Sequence, residues 1–121
     1  MHVSRARFEE LVADALDSIP PDLGVHMDNV VVVVEDWPTP EQLGGRPGTL
    51  LGLYEGVNLT NRSPINYAGV MPDRVTIFRG PLSERASDEA HLAHQIRVTV
   101  IHEIAHHFGI DDHRLHELGW S

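Results

Sequence analysis

Between Asp88 and Phe108 the chain places Ala90, Ala93, Ile96, Val100, Ile101, Ile104 and Phe108 at helical spacing. At about 100° per residue these positions cover more than half of a helix circumference. A helix this apolar has to lie inside a domain, so the segment predicts a long buried helix with the rest of the fold built around it. Ser87 is the expected N-cap, with Asp88 and Glu89 in the favourable first turn, and Gly109 stands where a left-handed C-cap belongs.

The remaining elements follow from what such a helix needs to cover it. Phe8, Leu11, Val12, Ala15, Leu16 and Ile19 predict a first helix over 5–18, ended by Pro20 and Pro21. The run NVVVVVED, 29–36, is short and β-branched and predicts a buried strand. WPTPEQLGGRPG, 37–48, carries three prolines and three glycines and predicts a loop. TLLGLYEGV, 49–57, predicts a second strand, weakened by Gly52 and closed by Gly56. A long turn-rich connection, 58–73, leads to a third strand, RVTIFRG, 74–80. After Gly109 the tail has room for one short helix. The expectation is a single α+β domain over 1–121: a small three- or four-stranded mixed sheet packed on an N-terminal helix and the long buried helix.

Composition narrows the function. The chain has 121 residues and a formal net charge of −9, and every basic residue is Arg. Phosphate-backbone binding needs a basic footprint, so nucleic acid is not an expected partner. There is no cysteine, which excludes disulfides, thiolate metal sites and a Cys nucleophile. The longest aliphatic run, Val30 to Val34, is far short of a membrane span, and the N-terminal residues lack the apolar core of a signal peptide. A cytoplasmic protein with no membrane contact is the expectation.

The unusual residue is histidine. Of nine, seven fall between His91 and His116. Inside the predicted buried helix stands His102-Glu103-Ile104-Ala105-His106. Residues four apart lie about 40° apart on a helix face, so both imidazoles can converge on one ion. Glu103 projects about 100° round, near the site without being a ligand. Two His nitrogens on a metal, an open position for water and a carboxylate to take the water's proton make the arrangement of a zinc hydrolase. An apolar helix that buried two imidazoles and a carboxylate with no common partner would be costly.

A third ligand is expected soon after the helix, because 15 residues follow His106 and a distant Glu ligand needs more. The pattern HExxHxxGxxH brings a ligand back by a tight turn. Here Gly109 holds the glycine position and Asp112 the last one. A carboxylate is a competent zinc ligand, and Asp111 and Asp112 follow a helix C-terminus, where negative charge is disfavoured unless a cation offsets it. Either Asp is also suited to capping the next helix, and His113 and His116 stay open as alternative ligands. His91 and Gln95 fall within about 20° of the His102 direction and are candidates for lining a groove. Tyr54 and Tyr67 are candidate oxyanion donors, and His107 points elsewhere on the helix.

HEIAHHFGIDDHRLHELG, together with VVVVVED, LLGLYEG and DRVTIFRGPL, resembles the small bacterial zincin-like metallopeptidases, the minimal zincins. The resemblance covers roughly residues 8 to 119. It implies a short domain with the HExxH helix under a small sheet, His102, His106 and Asp112 as Zn²⁺ ligands and Glu103 as catalytic base. The methionine turn that follows the motif in larger metzincins has no counterpart downstream here, and Met71 lies upstream.

The expected function is therefore zinc-dependent peptide hydrolysis, in which Glu103 takes a proton from the attacking water and passes it to the leaving amine. An extended or unfolded peptide laid along LLGLYEG is the expected substrate. A zinc-stabilised binding module without turnover is the first alternative. A metal-dependent ribonuclease is the second, disfavoured by Glu103 where that pattern has glycine, by Asp112 where it has His, and by the acidic charge.

Overall fold

Ser4 starts the first helix, α1 (Arg5–Asp17), by accepting the Arg7 amide on its Oγ at 3.1 Å. Phe8, Leu11, Val12 and Ala15 turn inward along one stripe, as their spacing predicts. The computed structural model describes residues 2–56 and 72–119. After α1 come a single helical turn, α2 (Pro21–Gly24), and a 3₁₀ turn (Val25–Met27), which seat Leu23 in the core. The valine run then forms β1 (Val30–Glu35), but the strand is not buried as expected: none of its residues is fully covered and Val31 is 42% exposed, because β1 lies at an edge of the sheet.

The proline- and glycine-rich 37–48 segment is not all loop. Thr39 and Gln42 close a capping box around α3 (Pro40–Leu43), which has Pro in its first turn. The second strand, β2 (Gly52–Glu55), is shorter than the predicted 49–57, and most of the 58–73 connection lies outside the described residues. The third, β3 (Asp73–Phe78), stops two residues before the predicted end. At Arg79 the chain turns into α4 (Arg79–Arg85), because Pro81 is tolerated in a first helical turn and Leu82 is driven into the core.

The strands form a mixed sheet in the order β1-β3-β2, with β1 parallel and β2 antiparallel to β3. The central strand is buried from Val75 to Phe78. The long helix, α5 (Glu89–His107), packs on β2, β3, α4 and α1. Its true N-cap is Asp88, which accepts the His91 amide at 2.8 Å, while Ser87 instead donates its own amide to the His91 ring at 3.1 Å. Arg7 of α1 clasps Glu89 at this end, donating from Nε at 3.0 Å, and the guanidinium holds that carboxyl below the usual carboxylate range.

Leu92, Ile96, Val100, Ile101, Ile104 and Ala105 are buried, but the helix is not enclosed all round. Ala90 is exposed, and so is the last turn: His106 and His107 face solvent, and Phe108 beyond them is 42% exposed. The expected core role of Ala90 and Phe108 is therefore corrected. Beyond it, α6 (Asp112–Leu118) is tied to the core by a single buried side chain, Leu115.

Gly52 sets how closely β2 approaches α5. A Cβ there would stand 2.7 Å from Thr99 Cγ2 and 3.2 Å from the Thr76 carbonyl oxygen. Thr99 has little freedom to yield, since it is β-branched and its hydroxyl donates to the Gln95 carbonyl at 2.7 Å. Gly52→Ala is therefore expected to destabilise the fold by about 1–3 kcal/mol through overpacking. Adding Thr99→Ser removes the offending methyl and is expected to recover much of the loss, measured by urea unfolding. Equal stability of Gly52→Ala and the parent would refute the close approach.

Candidate metal and active site

The site grows from the way α5 ends. Gly109, at φ 79°, takes the left-handed conformation. The Ile110 amide reaches back to the Ala105 carbonyl at 2.8 Å and the Gly109 amide to that of His106 at 3.1 Å. This is a Schellman turn, with Ile110 packed against the core as its hydrophobic anchor. The turn reverses the chain so that Asp111 caps α6, accepting the Arg114 amide at 2.9 Å. Asp112, the next residue, is carried back over the last turn of α5.

His106 Nε2 lies 3.0 Å from Asp112 Oδ1. The His102 and His106 rings stand side by side, centroids 5.7 Å apart and tilted by 26°. His113, one of the alternative ligands, instead pairs with Glu117 of its own helix at 3.0 Å and is 85% exposed. His116 is on the exposed face of α6. Among the described residues no three His, Asp or Glu side chains close around a common point. The arrangement brings His106 to Asp112 and aligns His102 beside them. Two imidazoles and a carboxylate, all partly open to solvent, are a donor set that suits zinc.

Glu103 is half-buried between α5 and the sheet. Its Oε1 accepts the Tyr54 amide at 3.2 Å. The Phe78 amide donates to the Leu51 carbonyl, so Leu51 faces β3 and, by the alternation of the strand, the Tyr54 amide faces the open side of β2. Burial pushes the Glu103 carboxyl above its ordinary value, while the Tyr54 amide and the positive charge available to His106 pull it back.

A second cluster lies beyond Glu103. The Tyr54 hydroxyl donates to Asp73 Oδ2 at 2.7 Å, and its ring stacks on that of His107 with centroids 3.8 Å apart. Burial, and then Asp73, push the Tyr54 phenol well above its ordinary value. The hydroxyl of Tyr54 is thus engaged with Asp73 rather than presented to a reacting carbonyl. Tyr67 and Met71 lie outside the described residues. Gln95 lines the groove beside His102 and Glu103, with His91 held against it at 3.3 Å. The bond from the Tyr54 amide to Glu103 escaped the sequence reading. It joins residues 49 apart, and only strand parity together with the pairing register reveals it.

The zincin-like metallopeptidase family matches residues 27–120, which include the whole of this site. The chain belongs to that family. The architecture also matches that of a conserved hypothetical protein from Thermo thermophilus, at 23% identity and a TM-score of 0.57, over 87% of this chain and 94% of that one. This likeness is one of fold. No curated protein matches the chain. The zincin-like domain has no helix, among the described residues, long and apolar enough to cross a membrane.

Proposed function

We propose that this zincin-like domain is a cytoplasmic zinc-dependent metallopeptidase that hydrolyses extended or unfolded peptides. The observation that carries the reading is the contact of Asp112 Oδ1 with His106 Nε2 at 3.0 Å beside His102. His102, His106 and Asp112 would hold the metal. Zinc bound there supplies a Lewis acid that polarises a carbonyl and acidifies water.

The chain's own groups do the rest. Glu103, with its carboxyl raised by burial, is the base that takes a proton from the attacking water and returns it to the leaving amine. The Tyr54 amide keeps the unused carboxylate oxygen turned toward the sheet and so fixes the side chain's direction. Among the described residues β2 is a free sheet edge. Its remaining outward main-chain groups, those of Gly52 and the Tyr54 carbonyl, are suited to pair with an extended peptide laid past Glu103, which holds the Tyr54 amide.

Metal content tests the reading. The purified domain, exposed to zinc and dialysed, is expected to hold about one zinc per chain, and His106→Ala and Asp112→Ala are each expected to lose it. Zinc lost only in His106→Ala would move the third ligand away from Asp112. A parent chain that binds no zinc would end the hydrolase reading.

A further inference from the structure

A groove of about 370 Å³ runs beside the candidate catalytic pair, with Leu51 and Gly52 on the strand side, Gln95 on the helix side, and His102 and Glu103 in its lining. Arg85, the last residue of α4, lines the same groove. All nine basic residues of the chain are arginines, and Arg62 lies outside the described residues. Of the others, Arg5, Arg7, Arg74, Arg79 and Arg114 pair with carboxylates, while Arg46 and Arg97 bond to Leu43 and Ser18. Among the described residues, the Arg85 guanidinium alone has neither an ion pair nor a hydrogen bond. In a chain of net charge −9, an exposed arginine without an ion pair, in the groove that Glu103 also lines, is placed to receive a partner from outside.

We propose that Arg85 is a specificity residue that receives a carboxylate of the peptide substrate, from an acidic side chain or from a chain terminus. The proposal rests on the metallopeptidase reading above. A guanidinium presents a planar fork of donors matched to a carboxylate, and no internal bond has to be broken to engage it. The helix wall from Gln95 to His102 spans about 10 Å, room for about three extended residues, and Arg85 lines the same groove. The domain's overall negative charge does not cancel the effect. Repulsion from the far surface is screened beyond about 8 Å at physiological salt, whereas Arg85 acts at contact.

The test is binding and cleavage of fluorescein-labelled Ala/Leu octapeptides by the zinc-loaded protein. One peptide carries an internal Glu and an amidated C-terminus, one Gln and an amidated C-terminus, and one Gln with a free C-terminus. By fluorescence anisotropy a carboxylate-bearing peptide is expected to bind about tenfold more tightly than the neutral one, the scale of a charge-assisted hydrogen bond. Preference for the first peptide assigns an acidic side chain, and preference for the third a chain terminus. Arg85→Met is expected to bring the ratio close to one, and Arg85→Glu to favour a Lys-bearing peptide instead. Equal binding of all three peptides, no binding at all, or a preference that survives Arg85→Met would overturn the proposal. Cleavage without preference would overturn it and leave the peptidase reading standing. Preference without cleavage would uphold the carboxylate site and end the peptidase reading.

Discussion

Glu103→Gln is expected to lower peptide hydrolysis by about 100- to 10,000-fold, the usual contribution of a positioned general base, with zinc content unchanged. Gln keeps the size of the side chain and an oxygen that can still accept the Tyr54 amide, now 3.2 Å from Glu103 Oε1. The link between α5 and β2 therefore survives, and the variant is expected to melt close to the parent. What disappears is the carboxylate that accepts and returns the proton. The measurements are kcat/KM on a fluorogenic peptide and zinc by elemental analysis of the same sample. Undiminished hydrolysis would remove Glu103 from the mechanism, and loss of zinc would make it a ligand. Zinc retained in a parent chain that cleaves no peptide would point to the binding-module alternative.

Leu115→Ala is expected to carry the largest cost in stability, about 2–5 kcal/mol for a fully buried leucine cut back to a methyl. For a chain of this size that lowers Tm by on the order of 10 °C. The consequence at the site is more specific. α6 has Leu115 as its one buried residue, and Asp112 opens that helix. Loosening the anchor frees Asp112 from its place over His106. Zinc should then raise the Tm of Leu115→Ala by less than it raises that of the parent, because the stabilisation a metal gives grows with the logarithm of its affinity for the folded chain. A Tm lowered in both conditions by the same amount would show that the metal does not need α6 held in place.

The parts of this protein legible in its sequence are those set by local chemistry. The stripe from Phe8 to Ala15 and the apolar turns of α5 each carry their period within one element, and burial of that face then follows, whereas the valine run fixes a strand but not its burial. Gly109 signals its turn because only a residue without Cβ takes φ 79° without strain. HExxH places two imidazoles on one helix face by helix geometry alone, and the GxxD that follows brings Asp112 back to His106. Where two local choices are nearly equal in energy, the sequence does not separate them. Ser87 and Asp88 are both good caps, and the contest is settled by which oxygen meets the His91 amide. Short helices such as α4 are marginal by propensity, and burial of Leu82 decides that one.

Tertiary structure alone decides what joins distant residues. The order β1-β3-β2 leaves β2 at an edge, and no local pattern in GLYE encodes that. Gly52 reads as a weak point in a strand, yet it is what lets that strand lie against Thr99. The Tyr54 amide reaches Glu103, and Arg85 enters their groove, only once helix, strand and α4 are packed together. The physical reason is one of range: dihedral preferences and side-chain periods act over a few residues, whereas the site's environment comes from contacts between segments that only the folded core brings together.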